Sequence, residues 1–99
     1  MTDSEPWDSP ETREGAVRRL AAVGEFIHVT SLELRMIRGL YRRARSLAPN
    51  GEEAAARAET FGKSAYVTAC LIGEAKQERA NLRRWITCFD KSTTPEEAD

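Results

Sequence analysis

Histidine occurs once, cysteine twice and proline four times in this chain of 99 residues, and each shortage closes off a class of structure. With His28 as the single histidine there is no histidine cluster for a metal and no base close in sequence to either cysteine. Cys70 and Cys88 have neither the number of a disulfide framework nor the spacing of a metal knuckle, which points to a reducing compartment. Each is expected as a small buried hydrophobe. No proline lies between Pro49 and Pro95, so nothing in that stretch must break a helix. The six glycines form no phosphate loop, nucleophile elbow or dinucleotide fingerprint. No apolar run reaches membrane-spanning length. The first fourteen residues are acidic and lack the apolar centre of a signal peptide. These shortages predict a protein that is not an enzyme, carries no cofactor and no metal, avoids membranes and resides in the cytoplasm.

What is abundant is charge, unevenly placed. The formal net charge is -1, but residues 1 to 14 carry -4, residues 92 to 99 carry -3, and residues 15 to 91 carry +6. A basic body thus lies between two acidic ends. The predicted organisation is a flexible acidic arm over residues 1 to 8, one helical domain over 9 to 90, and a flexible acidic tail over 91 to 99. Trp7 is an aromatic in a polar arm, a residue suited to docking on a neighbour.

Ser9 with Pro10, Glu11 and Glu14 reads as the start of a first helix. Its apolar set Val17, Leu20, Ala21, Val23, Gly24 and Ile27 ends near His28, with Phe26 off that face. Thr30 and Glu33 have the spacing of a capping box, flanked by Val29 and Leu34 as a hydrophobic staple, which predicts a second helix over residues 31–48. Leu34, Ile37, Leu40, Tyr41, Ala44, Leu47 and Ala48 line one face of it. Arg35, Arg38, Arg42 and Arg45 form an adjacent stripe, with Arg43 on the far flank. Pro49-Asn50-Gly51 ends it. An alanine-rich helix follows to about Thr60, and Thr60 to Ser64 reads as an interruption. A long helix then runs to about Phe89, with one continuous helix from Glu52 as the alternative. Its seam, Phe61, Ala65, Thr68, Ile72, Ala75, Arg79, Leu82, Ile86 and Phe89, alternates steps of four and three. Ala65, Ala69 and Gly73 form a small-residue edge, and Tyr66, Val67, Cys70, Leu71 and Trp85 lie off the seam. The fold class is therefore all-α: an antiparallel helical bundle of two long helices plus a shorter N-terminal helix, completed by homodimerisation because the apolar surface exceeds what so short a chain can cover.

Glu25 and His28 have the Glu-x-x-His spacing of di-iron bundles. Such a site also needs inward glutamates from two more helices, and Glu33, Glu59, Glu74 and Glu78 do not lie on apolar faces, so a helix-end histidine is the better reading. The arginine stripe has three readings: a solvated face, a track for phosphates, or a surface for an acidic or aromatic protein partner. Against nucleic acid, no recognition helix offers base-reading side chains and both ends are acidic. Arg79, Arg83, Arg84 and Trp85 form a second cluster with the composition of an interface hot spot, although Arg83 and Trp85 do not share a helical face.

The run Leu34-Arg35-x-x-Arg38-x-Leu40-x-x-x-Ala44-x-x-Leu47, followed after eighteen residues by Tyr66-Val67-x-Ala69, resembles the TraM antiactivators of bacterial quorum sensing. Ala75, Asn81, Ile86 and Phe89 continue the likeness, which spans residues 34 to 89. The resemblance implies a small all-α homodimer of two long helices per chain. It further implies binding to a LuxR-type transcriptional activator, which is kept off its promoter DNA so that conjugal plasmid transfer is damped. It assigns activator contact to Tyr66. The chain departs from the family in its alanine-rich connector Glu52 to Thr60, in Gly73-Glu74-Ala75-Lys76, and in Arg83 and Arg84. The expected partner-binding residues are Tyr66, Arg79, Arg83, Trp85, Arg38 and Arg42. The expected partners are a LuxR-type activator and a second copy of the chain. A small helical nucleic-acid-binding protein using the Arg35, Arg38, Arg42 and Arg45 stripe is the alternative.

Overall fold

A computed structural model describes residues 9–92 and consists of two long helices joined by a tight turn. The acidic arm 1–8, with Trp7, and residues 93–99 of the acidic tail lie outside the described residues. The first helix, α1, spans Arg13–Leu47, and the second, α2, spans Glu52–Ser92. The chain is all-α, and among the described residues no helix is long and apolar enough to cross a membrane.

Three boundaries differ from the sequence expectation. The first helix starts at Arg13, not at Pro10, because Thr12 is the cap: its backbone is extended, and its Oγ1 accepts from the Gly15 N–H at 2.9 Å. Among the described residues there is no separate N-terminal helix. α1 runs unbroken through His28, Val29, Thr30 and Ser31, and Thr30 is buried to 6% exposure within it instead of capping a new helix. A break there would interrupt the packed series Val23, Ile27, Thr30, Leu34, and four residues without glycine or proline cost a helix only a few tenths of a kcal/mol each. Burial outweighs a local capping preference. Finally, α2 is continuous through Thr60–Ser64, which is the one-helix alternative and not the interrupted one, and it extends to Ser92 instead of ending near Phe89.

The continuity at Gly62 has a packing cause. A Cβ built there would lie 3.1 Å from Tyr41 Cε1, so the missing side chain is the space that the Tyr41 ring occupies. Glycine in a helix interior costs about 1 kcal/mol relative to alanine, and close approach of the aromatic ring offsets it.

Between the helices, Ala48–Asn50 forms a single 3-10 turn with Pro49 near its start. The Gly51 N–H donates to Ala48 O at 3.2 Å, and Gly51 O accepts from Ala55 N. Glu52 and Glu53 then occupy the first turn of α2, where carboxylates favour the positive end of the helix dipole.

The helices pack along one seam. On α1 it follows Ala16, Leu20, Val23, Ile27, Thr30, Leu34, Ile37, Tyr41 and Ala44; on α2 it follows Ala58, Phe61, Ala65, Thr68, Ile72, Ala75, Arg79, Leu82, Ile86 and Phe89. All of these are buried or half-buried. The steps alternate between three and four throughout, the repeat of an antiparallel coiled coil. The seam expected on α2 therefore faces α1 along its whole length, Thr68 and Arg79 included. Leu40 and Leu47, expected on the inward face of the second helix, stand outside it and are exposed.

The hairpin measures 73 × 30 × 16 Å, with a radius of gyration of 20.3 Å, against about 13 Å for a compact chain of this length. It is one layer of two helices. Among the described residues, no side chain has more than one neighbouring helix to pack against, and only Ala16 and Leu82 are fully buried.

Candidate functional site: two opposed flanks of the hairpin

A two-helix seam leaves each helix with two flanks, and antiparallel pairing brings like flanks together. On one side of this hairpin the exposed residues are Phe26, Val29, Met36 and Leu40 from α1 with Val67 and Leu71 from α2. Met36 keeps 61% of its surface exposed and Val67 55%. A depression of about 320 Å³ opens on this side between Ala22, Phe26, Leu71 and Ala75, edged by Arg19 and Glu78. Those two side chains close the hairpin there, since Arg19 Nη2 donates to Glu78 Oε2 at 2.7 Å. Arg43, Glu33 and Glu74, the last at the edge of the depression, fall on this flank and punctuate it. It is the apolar flank.

The opposite side is basic. Arg35, Arg38 and Arg42 from α1 and Lys76 from α2 line a trough of about 580 Å³ whose floor is Ser31, Leu34, Ala69, Ile72 and Gly73. None of these four cations pairs with a carboxylate among the described residues. The ion pairs lie elsewhere: Arg13–Asp90, Arg18–Glu14, Arg19–Glu78, Arg57–Glu53 and Lys63–Glu59. Arg45, expected in the same stripe, is diverted: its Nη1 donates to the Tyr41 hydroxyl at 3.0 Å and its guanidinium sits 5.9 Å from the Tyr41 ring centre.

The six residues expected to bind a partner do not form one patch. Arg38 and Arg42 line the basic trough. Tyr66 lies on the same flank, one helical turn before Ala69, and is 72% exposed. Arg83 is exposed on that flank too, two turns beyond Lys76. Arg79 sits in the seam and is half-buried. Trp85 falls on the apolar flank, half-buried and stacked on Phe89 with ring centres 5.2 Å apart. Sequence reasoning missed Lys76, because it joins the arginines only once the second helix has folded back. The Arg/Leu alternation of the first helix carried no hint of it.

Both cysteines are free and exposed, contrary to the expectation of burial. Cys70 sits on the outer side of α2, away from the seam, and Cys88 flanks it. Glu25 and His28 are exposed on the outside of α1, and among the described residues no three potential metal ligands converge. The ends of the hairpin are clamped by Arg13, whose Nε and Nη2 donate to the two Asp90 carboxylate oxygens at 2.7 and 3.2 Å. These hydrogen bonds hold the Asp90 carboxyl below the ordinary carboxylate range and raise the Arg13 guanidinium further.

No protein-family model, curated protein or solved structure matches the chain. The function therefore rests on the two flanks.

Proposed function

We propose that the chain is a non-enzymatic, protein-binding antiactivator that works as a homodimer, sequestering a LuxR-type transcriptional activator from its DNA and so damping conjugal transfer. The observation that carries the protein-binding part is the apolar flank: Phe26, Val29, Met36, Leu40, Val67 and Leu71 form a row that neither helix can cover. Rows of exposed apolar side chains are interfaces in stable proteins. Charge selects which flank meets a second copy. A two-fold dimer sets each patch against itself, so pairing the basic flanks would oppose arginine to arginine, whereas pairing the apolar flanks buries the surplus. The activator is named on the resemblance in Leu34 to Leu47 and Tyr66 to Ala69, and the two long helices per chain agree with the architecture which that resemblance implies.

Dimerisation through the apolar flank leaves Tyr66, Arg38, Arg42 and Arg83 on the outside. The DNA-reading surface of an activator is basic and would be repelled by them, so the acidic ends of the chain are assigned to that surface, and the basic flank to an acidic region. The test is a gel shift with a purified LuxR-type activator on its promoter fragment. Adding the chain releases the activator, while the chain alone leaves the DNA unshifted. An activator that stays on its DNA at saturating chain overturns the reading. A salt-sensitive shift by the chain alone supports the nucleic-acid alternative instead. Removing residues 1 to 8 and 92 to 99 weakens release; unchanged release rules the acidic ends out.

A further inference from the structure

We propose that the trough between Arg38, Arg42 and Lys76 binds an acidic amphipathic helix of a protein partner. The inference rests on the protein-binding reading above and names the chemistry of the partner's segment.

The first support is the shape and chemistry of the trough. Its floor is mostly apolar and small: the buried Leu34 and Ile72 lie at the bottom, Ser31 is the one polar residue beside them, and Ala69 and Gly73 are the small residues on the α2 side. A Cβ built on Gly73 would meet nothing within 4 Å. Small residues on a helix wall let another helix come within the 8–10 Å at which helices pack. A third helix laid here would set its apolar stripe on the floor and convert the two-helix layer into a three-helix bundle.

The second support is charge. Three guanidiniums and one ammonium rim the trough, three on one side and one on the other, and none has a carboxylate partner among the described residues. Arginine heads pair with carboxylates in a planar, two-pronged geometry, so glutamates flanking an apolar stripe would meet both rims. The basic stretch runs from Arg35 to Arg42 along α1, about 10 Å at 1.5 Å per residue. That length suits two turns of a helix better than the long run of phosphate contacts by which proteins hold duplex DNA. A second copy of this chain is excluded as a symmetric occupant, because its own basic flank would be the facing surface.

The experiment uses the full chain and two labelled helical peptides of four turns. One carries leucines along one face with glutamates on its flanks; the other replaces the glutamates by lysines. Fluorescence anisotropy measures binding to the wild-type chain, to Arg38→Gln/Arg42→Gln, and to Gly73→Leu, which fills the trough and removes no charge. Circular dichroism shows that each variant keeps its helix content. The acidic peptide binds the wild-type chain, the lysine peptide does not, and both variants weaken binding about tenfold, as losing two charge pairs or the close approach would do. Failure of the acidic peptide to bind overturns the proposal. So does a loss confined to the arginine variant with Gly73→Leu unaffected, since that marks diffuse charge attraction without a seat. Displacement of the peptide by equimolar duplex DNA also overturns it and makes the trough a nucleic-acid surface. If the chain strips a LuxR-type activator from DNA yet ignores the peptide, the assignment of the trough falls while the antiactivator reading stands.

Discussion

Replacing Met36 by glutamine tests the apolar flank with little disturbance to the hairpin. Methionine and glutamine have similar length and similar helix propensity, and Met36 is 61% exposed, so the folding of one chain changes little. Dimerisation is another matter. Burying a methionine side chain completely is worth about 1.5–3 kcal/mol, so covering the exposed portion contributes about 1–2 kcal/mol. A two-fold interface counts each residue twice, which makes the loss about 2–4 kcal/mol and weakens the dimer roughly 30- to 1000-fold. Sedimentation equilibrium over a range of protein concentrations measures the dissociation constant. Ala80→Gln, exposed on the basic flank, serves as the control and leaves it unchanged. The reasoning fails if Met36→Gln dimerises as tightly as wild type, or if Ala80→Gln weakens the dimer equally.

The remaining predictions concern the hairpin itself. Gly39→Ala, where an added Cβ meets nothing within 4 Å, stabilises by about 0.5–1 kcal/mol and raises the thermal midpoint by a few degrees at fixed protein concentration. Gly62→Ala lacks that gain, because its Cβ would press on Tyr41 at 3.1 Å; an equal rise in both midpoints would refute the packing role of Gly62. Thr12→Ala removes the cap that accepts from Gly15 N and lowers stability by about 1 kcal/mol, measurable by urea titration. Asp90 has a carboxyl held below its ordinary range, so its pairing with Arg13 stabilises the folded chain above the unfolded carboxylate range near pH 4 and is lost as pH falls through the folded value. Thermal midpoints of wild type and Asp90→Asn therefore differ at neutral pH and converge in acid, and a gap that persists at low pH would show that the pair is not its cause.

The alternating steps of three and four, written from Phe61 to Phe89, were enough to name the inward face of the second helix, since helical periodicity is local and survives any partner. The same local grammar misplaced the breaks. Thr30 with Glu33 is a sound capping signal, yet α1 runs through it, and at Thr60 to Ser64 the expected interruption gives way to its one-helix alternative. The burial of Thr30 against α2 and the fit of Tyr41 on Gly62 depend on residues far away in the chain, so neither shows in a local window.

The division of labour between sequence and structure is clearest on the basic flank. Composition and spacing alone determined that the chain is helical, that its middle is basic between acidic ends, and that arginines stripe one helix. Only the tertiary structure decided that Arg45 turns aside to Tyr41, that Lys76 joins Arg35, Arg38 and Arg42 across a trough, and that Trp85 faces the other way. Periodicity tells which residues share a face of one helix. Which faces of two helices come to lie side by side is settled by the seam that joins them, through contacts between residues that no local pattern connects.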